Sequence, residues 1–584
     1  MNARHAFLVV ILASAASLGT GFSATPFWDE DEPRFAAIAE AMLVSGDWVV
    51  PRYNETLAVD KPVLMHWCMA ICFSVFGTSE FAARLPSAIA TLLTAIALLR
   101  AGTRWFNPTV GVIGALAYVG CLLVGIESHA ATPDAILTAL CTWATVLVAE
   151  QLIPAADATG TRRLTVLRAA TVGGLLGLAV LCKGPIGLVG PLAVLLPWAW
   201  WLSVNARMIA RRETRPTLPG LVTDTLPATL HAMWAIRLAT IAAATLAVAA
   251  PWYVLVGIRT DGAWPAGFFF IHNIGRAAAA MENHSGGAWY HPVTMLVGFF
   301  PWSCFLPFAL VVTAWRLWHR SDSAKPFAAT GLLLVWIIVW VTGFSVAATK
   351  LPNYILPAYP AAALLVAFVA VEATARDRWP HPRWLASGLG WLAFGGIATS
   401  ATIVAASFFG LHHATPAAIV GLVPVCGAAI CLWLANRDRW AALRAFTVTG
   451  LIYTALVVGP VGAWLAKANL LPVLVNEAHR HAGGRARLGV FTQNTPNVVF
   501  YSHGRVHEWE ANDASKAVAF LASGDDAMLL VPEQQFRLIA DLLPKDSSVI
   551  ARGRPLFTTR EWLVIGRHAS GGLRAAAAPG IPTR

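Results

Sequence analysis

Runs of roughly 20 apolar residues, separated by short polar stretches, recur through residues 1–466. A helix of about 20 apolar residues is long enough to cross the hydrocarbon core of a bilayer. The pattern therefore predicts a polytopic α-helical membrane protein. Its thirteen expected spans lie near residues 6–24, 84–100, 109–127, 133–150, 169–182, 185–203, 236–258, 293–315, 327–347, 353–374, 384–409, 416–435 and 445–466.

The basic residues between the spans set the expected orientation. With the N-terminus inside, every inside loop carries several arginines or lysines, as cytoplasmic loops do. The apolar stretch 62–77 must be left out of the count, because including it would invert every later loop. It is short, begins with Pro62 and contains His66, so we expect a helix that lies at or dips into the outer face.

The first apolar run allows two interpretations. Arg4 followed by an apolar run is typical of a cleaved signal peptide. However, the run extends to Ala24, which is long enough to span the membrane, and cleavage there would release the outside loop with the densest charge cluster. We therefore expect an uncleaved first helix.

The chain changes character after residue 466, where the long apolar runs stop. Short segments predict strands at 488–492, 528–531 and 562–566 and helices at 497–502 and 533–543. We expect residues 1–466 to form the membrane domain and residues 467–569 a small soluble α/β domain outside the inner membrane. Residues 570–584, rich in Ala, Gly and Pro, are expected to be a disordered tail.

Composition agrees with a membrane protein and excludes one function class. Hydrophobic residues make up 57% of the chain and charged residues 12%, against about 25% charged in soluble domains. The net charge of +11 would suggest nucleic acid in a soluble protein. Here the basic residues cluster between spans, so they indicate topology, and no nucleic-acid partner is expected. The eight cysteines all lie in apolar segments and offer no disulfide framework.

The densest charge cluster follows the first span, in the outside loop 25–83. Four consecutive carboxylates occupy positions 29–32, followed by Pro33 and Arg34. Such neighbours raise one another's pKa unless cations lie close. The cluster indicates either a catalytic loop that includes Asp31 and Glu32, or a solvated acidic loop that precedes a helix beginning near Pro33.

Two more outside segments carry isolated charges near a span. Lys61 follows Asp60 at the start of the surface stretch 62–77, where it can reach a lipid phosphate or simply extend its ammonium group to the interface. Asp134 lies in the first turn of a span, where a carboxylate complements the helix dipole. Ionisable residues at membrane depth are usually functional, however, and both remain candidates.

The later outside segments combine cations with aromatic and imidazole groups. The loop 259–292 places Arg276 after a run of phenylalanines, and a guanidinium suits a phosphate through its planar fork. His272, His284 and Tyr290 of the same loop are candidates for contact with an acceptor or for a structural role. Lys350 and Tyr354 lie together at the outer end of a later span.

Taken together, these segments place acids, cations and aromatic rings on one side of the membrane. Cations can bind a lipid phosphate and offset the charge that develops on it as a leaving group. A carboxylate can accept the proton of an attacking hydroxyl. The combination predicts a site that acts on a phosphate-linked lipid at the outer face.

Several short motifs resemble one known superfamily. The chain has Asp31-Glu32-Pro33-Arg34-Phe35 where that superfamily has Asp-Glu-x-Arg-Tyr, and Asp60-Lys61-Pro62 where it has Glu-Lys-Pro. Further matches are Gly46-Asp47-Trp48-Val49-Val50-Pro51, Phe76-Gly77 with Arg84-Leu85, and Lys350-Leu351-Pro352-Asn353-Tyr354-Ile355-Leu356-Pro357. The chain thus resembles the GT-C superfamily of polyprenyl-phosphate-sugar glycosyltransferases. Within it, the similar branch contains the bacterial lipid A aminoarabinose transferase and relatives of the protein O-mannosyltransferases.

The resemblance implies roles for individual residues. Asp31 resembles the acid of the first outside loop that contacts donor and acceptor, and Asp134 resembles the acid of the second loop. Lys61, Arg276 and Tyr354 resemble ligands of the donor phosphate. We group Glu32 with the catalytic acids and Lys350 with the phosphate ligands by position in the same motifs.

Two residues depart from the superfamily motifs at positions that bear on the acceptor and on a possible metal site. Phe35 replaces a tyrosine, which removes a hydroxyl that could orient the acceptor, and Asp60 is shorter than the glutamate it replaces. No cofactor is assigned from the sequence. A divalent metal stays an open question, with Asp60 and His272 as its candidate ligands.

The resemblance implies an inverting glycosyltransferase at the periplasmic face of the inner membrane. A sugar would leave a polyprenyl phosphate and join a lipid A, glycan or protein acceptor, with membrane lipids around the site. The lipid phosphate is the leaving group, so no nucleotide-binding domain is needed, and the sequence has no glycine pattern of that kind.

Three other function classes stay open at this stage, and one of them is a non-enzymatic assembly scaffold. A transporter or lipid flippase also has many spans and charges near the membrane, but we find no inverted repeat. A surface-glycan polymerase or ligase is a second alternative. Such enzymes usually concentrate their site in one large later loop, whereas the richest cluster here is in the first.

Overall fold

Helices dominate the protein. The computed structural model describes residues 3–22, 25–27, 31–153, 163–211, 218–275, 285–319, 323–376, 382–408, 412–466, 468–491, 496–554 and 561–567. The helices up to residue 259 are α1 (Ala3–Leu18), α2 (Asp31–Ser45), α3 (Leu64–Phe76), α4 (Glu80–Trp105), α5 (Pro108–Val119), α6 (Leu122–Ser128), α7 (Asp134–Leu152), α8 (Val166–Lys183), α9 (Ile186–Ala210), α10 (Leu218–Ala235) and α11 (Leu238–Arg259).

The helices that follow include several short elements. They are α12 (Ala263–Ala266), α13 (Tyr290–Gly298), α14 (Leu306–His319), α15 (Ala324–Val346), α16 (Tyr359–Ala375), α17 (Pro382–Phe408), α18 (Leu422–Ala435), α19 (Arg439–Leu456) and α20 (Gly462–Ala466). Segments Gly267–Gly275 and Val457–Val461 are π-helical, and Trp302–Cys304, Pro352–Ala358 and His412–Gly421 are 3-10 helical.

The number of unbroken spans is smaller than the sequence predicts. Among the described residues, ten helices are long and apolar enough to cross a membrane, or eleven if α5 and α6, bent by 66°, form one span. Helix α1 has 16 residues, too few for a straight span. The predicted span 293–315 is divided into α13, a 3-10 turn and α14. Pro301 lies at this break, and proline lacks the N–H group that continues a helix.

The apolar stretch 62–77 forms α3, which has 13 residues. At 1.5 Å per residue such a helix covers about 20 Å, less than the roughly 30 Å hydrocarbon core. One side of α3 packs on α2 and α4, while Ile71, Val75 and Phe76 are exposed apolar residues. This two-sided pattern fits a helix that lies at the membrane interface.

Small residues let the spans approach closely. A Cβ atom added at Gly173 in α8 would lie 2.4 Å from the carbonyl oxygen of Ile241 in α11. Without lipid-driven hydrophobic association, membrane helices pack through such close backbone contacts. Helix α10 is an element that the sequence did not predict. It lies before α11, in a connection that is predicted to be inside, and packs on α9.

The tail folds as a small sheet with helices, as predicted. Its elements are α21 (Leu471–His481), β3 (Arg487–Phe491), α22 (Pro496–Ser502), β4 (Val506–Trp509), α23 (Ala514–Ala522), β5 (Ala527–Pro532), α24 (Glu533–Phe536), β6 (Ser547–Gly553) and β7 (Trp562–Arg567). The strand order is β4-β3-β5-β7-β6, with β3 parallel to β4 and β5, and β7 antiparallel to its two neighbours. The proposed domain boundary at 466/467 stays a prediction, and residues 570–584 lie outside the described residues.

Candidate active site

The acidic segment of the first outside loop leads directly into α2. Asp31 is the first residue of this helix and its side chain is partly exposed. A carboxylate in the first turn complements the helix dipole, and Pro33 is tolerated there because its missing N–H has no partner in that turn. Asp29 and Glu30 lie outside the described residues. Asp31 is thus the described acid of this segment that a substrate can reach.

Glu32, next to Asp31, is buried and bound on both carboxylate oxygens. Arg84 of α4 donates from Nε to Oε1 at 2.9 Å and from Nη2 to Oε2 at 3.0 Å. The Ala131 N–H donates to Oε1 at 2.8 Å. Arg84 also donates to the carbonyl and hydroxyl oxygens of Thr25, both at 2.7 Å. Glu32 therefore connects the first loop to α4 and to the second outside connection. Its catalytic role stays a prediction.

A second set of polar residues, here called the outer polar cluster, consists of Asp134, Lys183, Asn353 and Tyr354. Asp134 begins α7, is 3% exposed and forms an ion pair with Lys183, the last residue of α8. Asn353 Nδ2 donates to Asp134 Oδ2 at 3.2 Å. The Lys183 Nζ atom lies 4.9 Å from the centroid of the Tyr354 ring. Three separate segments thus meet, at the first residue of α7, at the last residue of α8 and in the 3-10 segment Pro352–Ala358; the sequence predicts that all three face outside.

Sequence reasoning missed two residues in this region. Lys183 ends an apolar run just before Gly184, and Glu127 lies one residue before the second outside connection. Glu127 is buried and accepts a hydrogen bond of 2.9 Å from the Thr132 hydroxyl. The available signal was the presence of ionisable residues at membrane depth, which are rarely there without a function.

Lys61 follows a hairpin that tryptophans attach to neighbouring helices. Strands β1 (Arg52–Tyr53) and β2 (Thr56–Leu57) form this hairpin, with two residues of positive φ at its turn. Three indole N–H groups donate to carbonyls beside it: Trp67 to Trp48 at 2.7 Å, Trp252 to Val49 at 3.0 Å, and Trp264 to Ala58 at 2.7 Å. Because the chain on both sides of the hairpin is bound, the position of Lys61 is set by several helices at once.

Asp60 and Arg34 form an ion pair next to Lys61, with 3.5 Å between Nη2 and Oδ1. Burial alone would raise the pKa of Asp60, but the positive charges of Lys61 and Arg34 outweigh this effect, and the pKa is lowered. Asp60 is therefore ionised at neutral pH. Arg34 contacts Asp60 in this way, and its assignment to acceptor contact or to a structural role stays a prediction.

His66 and Phe35 complete the surroundings of Lys61. Burial lowers the pKa of His66 to about 4, so this imidazole is neutral. The Lys61 Nζ atom lies 5.8 Å from the centroid of the Phe35 ring, a distance at which a cation is attracted to an aromatic face. The phenylalanine that departs from the family motif therefore contacts the predicted phosphate ligand.

The start of the loop 259–292 brings these two regions together. A Cβ atom at Gly267 would lie 3.0 Å from the Val59 side chain, just before Asp60. A Cβ atom at Gly184, where φ is +76°, would lie 2.5 Å from the Phe268 ring, just after Lys183. The segment Gly267–Gly275, which includes His272, thus packs against the chain next to both lysines. Arg276 and His284 lie outside the described residues.

Lys350 has a different environment from the one expected of a phosphate ligand. It is 4% exposed, and its ammonium group donates to three carbonyl oxygens at the end of α15: Phe344 at 3.1 Å, Ser345 at 2.6 Å and Ala347 at 2.5 Å. An ammonium has three donors, and a cation at a helix C-terminus is favourable. Lys350 therefore caps a helix, and the predicted phosphate contact would require these bonds to break.

Tyr290 and the candidate metal ligands are the predicted residues that remain. Tyr290 begins α13, and its ring centroid is 5.1 Å from that of the buried His291. Among the described residues, no group of three or more His, Cys, Asp or Glu side chains is placed to hold a metal. The nearest charges to Asp60 are cations, which do not favour a metal at that carboxylate. We derive no step through a metal.

Comparisons with known proteins bear on the fold and on the family. Residues 60–223 match the model of the dolichyl-phosphate-mannose-protein mannosyltransferase family. A crystal structure of ArnT from Cupriavidus metallidurans bound to undecaprenyl phosphate superposes with a TM-score of 0.73 at 20% identity, covering 96% of this chain and 97% of that chain. The two proteins share a fold, and the chain is a multi-pass membrane protein.

Two relatives with clear sequence similarity share a name. The undecaprenyl phosphate-alpha-4-amino-4-deoxy-L-arabinose arabinosyl transferase of Erwinia tasmaniensis is 29% identical over 66% of this chain, which spans 62% of that protein. The protein of the same name from Aeromonas salmonicida is 30% identical over 444 residues, covering 74% of this chain and 72% of that protein. The chain therefore belongs to the family of undecaprenyl phosphate-alpha-4-amino-4-deoxy-L-arabinose arabinosyl transferases.

Proposed function

We propose that the protein is an inverting glycosyltransferase that moves a sugar from a polyprenyl-phosphate donor to a lipid A, glycan or protein acceptor. One observation carries this proposal. Glu32 accepts a hydrogen bond from Ala131, three positions before Asp134, so the acidic segment is adjacent to the outer polar cluster. Acids and cations from three segments, namely the first loop, the start of α7 and the end of α8, then border one region, as transfer from a lipid phosphate requires.

The donor is a polyprenyl phosphate. The relatives are named for undecaprenyl phosphate, and the similar crystal structure contains it. We assign the donor phosphate to Lys61, Arg276 and Tyr354, with Lys183 as a further cation beside Tyr354. These three cations and the Tyr354 phenol compensate the charge that builds on the phosphate as it leaves.

The transfer is a single displacement at the anomeric carbon. An acceptor oxygen forms a bond to that carbon from the side opposite the phosphate, the carbon–oxygen bond to the phosphate breaks, and the phosphate keeps the electron pair. The single displacement inverts the anomeric configuration. Asp31 accepts the proton of an acceptor hydroxyl; an acceptor phosphate carries no proton that must leave.

We place the reaction at the periplasmic face of the inner membrane. The inside loops are rich in arginine, and Arg100 and Arg104 both bind Glu150 at the opposite ends of α4 and α7 from the proposed site. Basic loops remain in the cytoplasm, so the outer polar cluster and the tail domain face the periplasm. The acceptor arrives there after export.

Transfer of a radiolabelled sugar from a purified polyprenyl-phosphate donor, with the protein in proteoliposomes, tests the proposal. We expect label on lipid A, glycan or protein, and none when Asp31 is replaced by asparagine. Movement of labelled donor across the bilayer without transfer would instead indicate a flippase, and chain elongation of a glycan would indicate a polymerase. Mass spectrometry of lipid A and envelope glycans from a deletion strain identifies the acceptor.

A further inference from the structure

The tail domain binds the backbone of Phe27, just before the acidic segment, from two sides. The Phe27 N–H donates to the Tyr501 hydroxyl at 3.0 Å, and Asn469 Nδ2 donates to the Phe27 carbonyl at 3.1 Å. The Tyr501 hydroxyl in turn donates to Glu80 Oε1 at 2.8 Å. The rings of Phe27 and Phe500 are in edge contact, 4.8 Å between centroids. Both polar backbone groups of Phe27 therefore depend on the tail domain.

The membrane domain binds the same stretch of chain from the other side. The Arg84 guanidinium lies 5.2 Å from the centroid of the Phe27 ring, and it donates to Thr25 and to Glu32. Asp31 is therefore flanked by two fixed points, Phe27 before it and Glu32 after it. Four neighbouring carboxylates repel one another, so a segment held at only one end would be expected to spread.

A second contact joins the tail domain to the hairpin that precedes Lys61. Asn54, at the hairpin turn, donates from Nδ2 to the Val506 carbonyl at 2.8 Å and accepts from the Val506 N–H at 3.0 Å. This pair of bonds continues the edge of the tail sheet at β4, as an added strand residue would. The tail domain thus contacts both the segment with Asp31 and the segment with Lys61.

We propose that the tail domain is a positioning element for sugar transfer, and that Tyr501 is its central positioning residue. The tail domain sets the distance between Asp31 of the first loop and the cations that bind the donor phosphate. The proposal rests on the function proposed above. A misplacement of about 1 Å at such a site reduces the rate by up to roughly 100-fold. Losing these bonds is therefore expected to lower kcat for sugar transfer.

Tyr501→Phe in the full-length protein removes both hydrogen bonds and keeps the ring. We expect kcat for transfer to fall about 10- to 100-fold while KM for the polyprenyl-phosphate donor is unchanged, because the phosphate ligands remain. Asn469→Ala, which removes the other bond to Phe27, should act in the same direction. Arg487→Gln is the matched control, since it breaks the exposed Arg487–Asp526 ion pair of the tail domain; it should retain wild-type kcat.

Amide hydrogen exchange of residues 25–45 supplies a readout that does not need the reaction. Faster exchange in Tyr501→Phe and Asn469→Ala, but not in Arg487→Gln, is expected. If wild-type protein transfers no sugar, the proposed function is wrong. Hydrogen exchange still shows whether the tail domain holds residues 25–45 in place. Wild-type exchange and wild-type kcat in Tyr501→Phe would overturn the inference, as would an equal loss of kcat in Arg487→Gln.

Discussion

At the scale of single residues, the neighbours of each acid separate their roles. Asp31 and Glu32 are adjacent in sequence, yet Glu32 is bound by Arg84 on both oxygens and Asp31 is partly exposed. Breaking a buried ion pair by removing one partner costs about 3–5 kcal/mol. Substitution of Glu32 is therefore expected to act on stability, and substitution of Asp31 on turnover.

Asp31→Asn is expected to preserve expression and to reduce transfer at least about 100-fold, the scale of a lost general base. The amide keeps the shape of the side chain but accepts no proton and has no full negative charge. Initial rates with purified protein and labelled donor measure the effect. A wild-type rate would remove Asp31 from the mechanism, and Asp29→Asn would be the next variant to measure.

Lys61 and Arg276 are expected to act on the donor phosphate. Lys61→Ala removes a charge and should lose transfer and weaken binding of polyprenyl phosphate, at normal protein yield. Arg276→Lys keeps the charge but loses the planar fork, so it should still impair transfer. If these cations only contact anionic headgroups, worth about 1 kcal/mol each, yield would fall and turnover per molecule would be normal in both variants.

At the scale of elements, the length of α3 decides whether an apolar segment is a membrane span or a helix at the membrane interface. Its composition resembles that of a span, but its 13 residues are too few for one. Its exposed apolar residues lie on the side away from α2 and α4, where lipid can cover them. The orientation of every later helix depends on this one element.

A reporter fused after Gly77 is expected to lie on the same side of the membrane as one fused after Pro51, because α3 does not cross. Paired reporters that are active in the cytoplasm or in the periplasm measure this directly. A reporter after Arg376, in a basic inside connection, serves as the opposite control. A cytoplasmic signal after Gly77 would reverse the later helices and place Asp134 on the wrong face.

At the scale of the whole molecule, contact between the tail domain and the first loop should depend on pH. His503 of the tail domain and Glu40 of α2 lie 2.9 Å apart, and the hydrogen bond to Glu40 is the main reason that the pKa of His503 is raised. The imidazolium form therefore favours the docked arrangement. Its stabilising contribution is complete below the ordinary histidine pKa and is lost as the pH rises through the raised value.

Thermal stability of wild-type protein and of Glu40→Gln, measured between about pH 5 and pH 8, checks this linkage. We expect wild type to be more stable than the variant at low pH and the difference to shrink as pH rises. The contribution is small because half of the His503 side chain is exposed and solvent screens such pairs. A difference that grows with pH would contradict the assignment.

The sequence by itself determined the features that depend on local pattern. Long apolar runs predict most of the spans, and short apolar segments predict the small tail domain. The predicted fold class and the family resemblance are both confirmed. Strands β3, β5 and β7 lie within one residue of their predicted bounds, because each consists mostly of buried apolar residues. Strand β6 is only half buried and was not predicted, since its pattern lacks that signal.

Only the tertiary structure decided which charged residues meet. Lys183 and Asp134 are 49 positions apart, and Arg84 and Glu32 are 52 apart; no local pattern records such pairs. The same holds for Lys350: its motif predicts a phosphate ligand, which stays a prediction, and only the packed chain shows that its ammonium group caps α15. Hydropathy is a property of each short segment, whereas the environment of a charge is set by whichever segments pack around it. The sequence could therefore name candidate residues for the site, and the packed helices and tail domain assigned their contacts.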